Sequence, residues 1–272
     1  MLALEKKRSL DALRERISGV VDLSTLSAQG PRKSSVQTSA ALLTIPGGLL
    51  QEVFADDRRN AGAGVGFVLG CALGLIRPER PVVLFVQLNH HAYDVGLPYS
   101  DGLRGFGFDP DRLILARVQT MQDLLWAMEE AICCRAVAAV VADIGGQPKA
   151  LDFTASRRLS MRSASAGTST FILRYGHERE ATAAKLRWHV QPEPSLSPQF
   201  DQRAPGIPRW CITLEKGRLE SGQTKFILDW TDNGFELAKQ NHPAKGPWRP
   251  DAEATPSRLA PAALGYRLSQ TG

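Results

Sequence analysis

The chain has 272 residues, 43% hydrophobic and 22% charged, with a formal net charge of +5. That suffices for one large domain with a sizeable core and excludes a disordered or fibrous protein. No apolar run reaches the ~18 uncharged residues of a membrane-spanning helix. The nearest, Gly62 to Ile76, carries five glycines and reads as a core helix.

The N-terminus, MLALEKKRSLDALRER, mixes charged and apolar residues and lacks the continuous apolar region and cleavage site of a secretory signal, so a cytoplasmic protein is expected. Leu10, Leu13, Ile17 and Val20 recur at helical spacing, which predicts an amphipathic helix. The Ser-, Gln-, Thr-, Gly- and Pro-rich stretch from Ser24 to Ser39 reads as a flexible connector. Residues 1–39 are therefore expected to be helix and linker, 40–240 the core, and 241–272 a Pro/Ala-rich tail.

From about residue 42, short apolar strands alternate with helical stretches, the pattern of an α/β fold with a mostly parallel sheet flanked by helices. The predicted strands are Leu49–Ala55, Val82–Gln87, Leu113–Arg117, Ala138–Asp143 and Thr170–Arg174. Between the third and fourth, Met121, Leu124, Leu125, Met128 and Ile132 line one helix face behind a capping box of Thr120 and Asp123. After Tyr175 the helical crossovers stop, and Ala184–Val190, Arg209–Leu214 and Lys225–Trp230 read as an antiparallel extension on the C-terminal side of the sheet.

The turn after the first core strand has the strand, Gly-rich turn and helix layout with which P-loop proteins cradle phosphate. The four defining positions of G-x-x-x-x-G-K-[ST] are Ala55, Asn60, Ala61 and Gly62. The lysine that meets phosphate and the hydroxyl that holds Mg²⁺ are both missing, and Asp56 and Asp57 add negative charge, so hydrolysis is unsupported. A dinucleotide fingerprint fails as well, because Phe67 stands where the third glycine belongs after Gly62 and Gly64. Asp143 ends the run AVVAD and either delivers an acid to a metal at the sheet edge, as a Walker-B aspartate does, or caps the next turn.

Gln87, Asn89, His90 and His91 follow the second strand, and no water-activating glutamate is among them. Adjacent histidines on an extended segment point to opposite faces, so His90 and His91 read as surface or turn residues, not a metal pair. Cys71, Cys133, Cys134 and Cys211 form no C-x-x-C pair and are expected as buried free thiols. No G-x-S-x-G elbow occurs. No cofactor, metal or catalytic residue is expected.

Residues 1–150 hold 16 basic and 16 acidic side chains, and 151–272 hold 17 and 12. Arg157, Arg158, Arg162, Arg174, Arg179, Lys185 and Arg187 face only Glu178 and Glu180 within their interval. On a helix capped near Thr154, Arg158 and Arg162 stand at i and i+4, and with Arg157 they form a cationic ridge for an acidic partner or phosphate, or else a solvated face.

The blocks LLTIPGGLLQEVFA, RPVVLFVQ, GFDPDRLILARVQTMQDLLWAMEEAICCRAVAAVVADIG, LDFTASRRLS and TSTFILRY, taken in order, resemble the ImuA family over roughly residues 42–230, most specifically from Gly107 to Ser160. Members are RecA-related accessory proteins of damage-induced mutagenesis in bacteria. The resemblance implies a RecA-like core and partnership with ImuB, an inactive polymerase homologue. It also implies an error-prone replicative-type polymerase subunit as partner, with RecA or DNA as further candidates. Two other readings stand beside it: a division inhibitor resembling SulA, which binds the tubulin-like division protein, and a nucleotide-dependent RecA-type ATPase with an unconventional loop.

Overall fold

The computed structural model describes residues 47–238 apart from 147, 196–203, 205, 220, 221 and 233. The expected helix and linker over 1–39 and the tail over 241–272 lie outside the described residues. In chain order the elements are β1 (Leu50–Ala55), α1 (Ala61–Leu73), β2 (Val82–Leu88), α2 (Asn89–Val95), α3 (Ser100–Gly105), β3 (Leu113–Val118), α4 (Met121–Ile132), β4 (Val137–Gly145), α5 (Phe153–Ala166) and β5 (Ser169–Tyr175). There follow β6 (Leu186–Pro192), β7 (Arg209–Lys216), β8 (Lys225–Thr231) and β9 (Gly234–Leu237).

Among the described residues nine strands join one sheet in the order β3-β2-β4-β5-β1-β6-β7-β8-β9. The eight strands read from the sequence match eight of these closely; β9, four residues long, carried too short a pattern to be read. Every residue of β2 and of β4 is buried, as a parallel strand covered on both faces requires. Val83, Phe85, Ala139 and Val141 point into one core with α1, while Leu84, Val86, Val140 and Ala142 point into the other with α4 and α5.

The antiparallel extension begins one strand later than expected. β6 runs parallel to β1, which is flanked by β5 on its other side. The antiparallel pairing starts between β6 and β7 and continues through β8 and β9. The connection from β5 to β6 has ten residues, 176–185. As a helix it would rise only about 15 Å. Extended, it spans up to about 33 Å, enough to return to the start of a parallel strand. The crossover is fixed along its length: Thr182 Oγ1 donates to Glu52 Oε2 at 2.8 Å, and the Ala183 N–H donates to Ser156 Oγ at 3.0 Å.

Helix α4 begins as its sequence predicts. The Thr120 hydroxyl oxygen accepts from the Asp123 N–H at 3.1 Å and donates back to its carboxylate at 2.7 Å. Leu124, Leu125, Met128 and Ile132 are buried. Helix α1 is apolar on nearly all sides because the aromatic face of β7–β9 packs against it. Trp210 Nε1 donates to the Ala63 carbonyl at 3.0 Å, and Trp230 stacks on Phe106 at 4.0 Å.

Candidate functional site

The ends of β1, β2, β4 and β5 converge on the edge where the phosphate-loop positions fall. Strand, turn and helix follow one another as the motif layout predicts, with a short 3-10 turn at Arg58–Asn60. Asp57 caps that turn, accepting from the Arg59 N–H at 2.9 Å. Ala55 and Ala61 are buried and form a small apolar cluster with Tyr175, against which Val95 of α2 packs. Arg58 Nη1 reaches Asp94 Oδ2 at 2.9 Å and ties the turn to α2. Asn60 precedes α1 and makes no side-chain cap bond. A Cβ at Gly62 would meet nothing within 4 Å. Apolar side chains of this chain thus line the turn where a working loop carries its lysine.

Asp143 is 1% exposed at the end of β4. Gln87 of β2 donates from Nε2 to Asp143 Oδ2 at 2.7 Å and to the Gly96 carbonyl at 3.2 Å. His91 Nδ1 stands 3.3 Å from Asp143 Oδ1, outside hydrogen-bond alignment, and the imidazole leans on the Tyr175 ring at 5.4 Å. Among the described residues Gln87 Oε1 and both His91 nitrogens have no hydrogen-bond partner, and Tyr175 Oη meets the Asp143 carboxylate without full hydrogen-bond geometry. Burial first, then the Asp143 carboxylate, pushes the Tyr175 hydroxyl well above the ordinary phenol range. The two histidines are not both surface residues. Residues 89–95 are helical rather than extended, so His90 is exposed while His91, one position on, turns inward and is buried.

Asp56 does not present bare negative charge. His189 Nε2 is 2.8 Å from Oδ2, His177 Nδ1 3.3 Å from Oδ1, and Arg179 Nη2 3.6 Å from Oδ1. Partial burial raises its pKa, but the His189 hydrogen bond and the charges of His189, His177 and Arg179 outweigh this and hold it below the ordinary carboxylate value.

The basic interval is also balanced, by acids far away in sequence. Arg174 Nη1 meets Glu52 Oε1 at 3.2 Å and Arg187 Nη2 meets Glu52 Oε2 at 2.8 Å. Arg179 Nε meets Glu215 Oε2 at 2.7 Å. These guanidinium groups stand over the buried Phe54 ring, Arg179 closest at 4.0 Å. The positive excess read from residues 157–187 is therefore local to the sequence, because strand pairing brings Glu52, Asp56 and Glu215 into it.

Helix α5 is capped by Asp152, whose carboxylate accepts from the Ala155 N–H at 2.7 Å, two residues before the expected cap at Thr154. Arg158 and Arg162 do share a side of the helix, but both meet Glu129 of α4, Arg162 at 3.4 Å. Arg157 is exposed and has no carboxylate partner among the described residues. The four thiols are free, and Cys211 is buried as expected, but Cys71 and Cys134 are half-buried and Cys133 is exposed at the end of α4. No group of three His, Cys, Asp or Glu is placed to hold a metal among the described residues.

Sequence reasoning missed Glu52, the buried pairing of Arg174, which it counted only within the basic interval, and Tyr175. Glu52 and Arg174 were visible as single charges inside the apolar runs LQEVFA and STFILRY, a pattern that signals a buried ion pair.

No protein-family model matches the chain. It is 33% identical over 130 residues to Protein ImuA of Caulobacter vibrioides strain NA1000 / CB15N, an alignment covering 44% of this chain and 51% of that relative. The match to Protein ImuA of Caulobacter vibrioides strain ATCC 19089 / CIP 103742 / CB 15 has the same identity and coverage. The chain thus spans about half the length of the curated relatives it matches, and the similarity agrees with the resemblance carried by its sequence blocks.

Proposed function

We propose that this chain is a non-catalytic, RecA-like accessory protein of damage-induced translesion DNA synthesis. It acts as an adaptor between an ImuB-like inactive polymerase homologue and an error-prone replicative-type polymerase subunit, with RecA or DNA as further contacts, in the cytoplasm. The similarity to ImuA supports the mutagenesis role. The strand order supports the RecA-like core: the phosphate-loop strand β1 and the Asp143-bearing strand β4 stand on either side of β5. The observation that carries the non-catalytic reading is the packing of Tyr175 and Val95 against Ala55 and Ala61, where a nucleotide's phosphates would need room and a lysine.

Two measurements test this reading. Calorimetric titration with Mg·ATP is expected to give no heat of binding, and turnover with or without single-stranded DNA is expected at background. Turnover that disappears in Asp143→Ala would overturn the non-catalytic reading. Copurification after DNA damage is expected to recover polymerase-type partners; recovery of the tubulin-like division protein instead would favour the division-inhibitor reading.

A further inference from the structure

One face of α5 remains after the charges have been matched. Phe153 and Met161 are 52% and 65% exposed, large apolar side chains left in solvent. Arg157 stands four residues from each, so the three form one continuous strip at i, i+4 and i+8. The strip lies on a firmly placed helix. Asp152 caps its start and Gly167, at φ +67°, ends it. Ser163 Oγ and Thr170 Oγ1, 2.7 Å apart, pin it to β5, and Ser156 Oγ accepts from the extended crossover at 3.0 Å.

We propose that this face docks an amphipathic segment of a partner protein, apolar where it meets Phe153 and Met161 and acidic where it meets Arg157. Arginine, methionine and aromatic side chains are the types that interface centres favour. Charge decides the occupant. Following phosphates takes several unpaired cations, and Glu129 already holds Arg158 and Arg162, leaving Arg157 alone. The chain's own terminal segments carry the wrong sign, with 7 basic against 4 acidic residues in 1–46 and 5 against 2 in 239–272. A second copy meeting this face two-fold would set Arg157 against Arg157.

The inference rests on the adaptor reading only in requiring a protein partner. It is tested by selecting a displayed library of random helical peptides on the full chain, with counter-selection on the Phe153→Ser/Arg157→Glu/Met161→Ser variant. All three positions are exposed, so the variant is expected to keep the wild-type circular dichroism and melting temperature. Selected peptides are expected to carry Leu, Phe or Trp at i and i+4 beside Asp or Glu, and to bind Arg157→Glu about tenfold more weakly than wild type. Basic peptides, or peptides indifferent to the variant, would overturn the proposal. So would oligothymidylate binding that Arg157→Glu abolishes and Glu129→Gln strengthens, since the face would then follow phosphate. Self-association by sedimentation velocity that only the variant loses would mean a second copy and would overturn it too. Failed selection alongside normal recovery of polymerase-type partners would sink this face and leave the adaptor reading standing.

Discussion

Glu52 and Arg174 form an ion pair at 3.2 Å between neighbouring parallel strands, each side chain 1% exposed. Phe54 is the register partner of Arg174, so the pair is diagonal across the ladder and lies over that ring. Burying two charges is tolerable only while each has the other, and removing one leaves an uncompensated charge in the core.

Glu52→Leu is therefore expected to cost about 3–5 kcal/mol in urea denaturation. Glu180 also meets Arg174, but its side chain is 44% exposed, so Glu180→Ala should cost no more than about 1 kcal/mol. Adding Arg174→Met to Glu52→Leu should recover part of the loss. A stable Glu52→Leu single variant would mean that the pair is not what holds this region together.

Two glycines of α1 should respond oppositely to the same change. Alanine in a helix is favoured over glycine by about 1 kcal/mol. At Gly62 a Cβ meets nothing within 4 Å, so Gly62→Ala should raise the melting temperature. At Gly70 a Cβ would lie 2.5 Å from Phe235 and 2.7 Å from Trp230. Rigid rings cannot yield as a flexible chain end can, so Gly70→Ala should lower the melting temperature, by about 1–3 kcal/mol in stability. Equal shifts of one sign would contradict the packing of β8 and β9 on α1.

Around Asp143 the asymmetry of buried hydrogen bonds sets the expectation. Tyr175 Oη is buried and meets the Asp143 carboxylate without full hydrogen-bond geometry, so Tyr175→Phe should cost less than about 1 kcal/mol. Asp143→Ala removes the shorter of the two bonds that Gln87 Nε2 donates, at a side chain with little access to water, and should cost about 1–3 kcal/mol. Thermal melts of the two variants make the comparison, and a large loss for Tyr175→Phe would show that the hydroxyl is held by a bond.

The pH dependence of Asp56 has a definite sign. Its pKa in the folded chain lies below the ordinary 3.8, so the ionised carboxylate stabilises the fold above that value, and the contribution is lost as the pH falls below it. Asp56→Asn should melt below wild type at neutral pH, and the two curves should converge as the pH falls below 3.8. A gap that widens in acid would reverse the assignment.

Strand positions were legible in the sequence because burial leaves a local trace: VVLFVQL and VAAVVADIG are apolar nearly throughout, and KFILDWT alternates. The missing lysine and hydroxyl at Ala61 and Gly62 were equally plain, being a matter of residue identity. The direction of β6 was not legible, since the polar crossover over 176–185 carries no periodicity and its extended path follows from the span it must cover.

Which charges would be matched was decided only by the tertiary structure. Arg174 and Glu52 are 122 positions apart, and Arg158 and Glu129 are 29 apart. Hydrophobic periodicity repeats every two to four residues and can be read along the chain, but Coulomb attraction depends on distance through space. That distance exists only once β1, β5 and β6 are side by side. The sequence by itself therefore determined the layers and the absence of a lysine and a hydroxyl at Ala61 and Gly62. The packing of the folded chain determined that His91 turns inward, that Tyr175 packs against Ala55 and Ala61, and that Arg157 alone of its ridge has no carboxylate partner among the described residues.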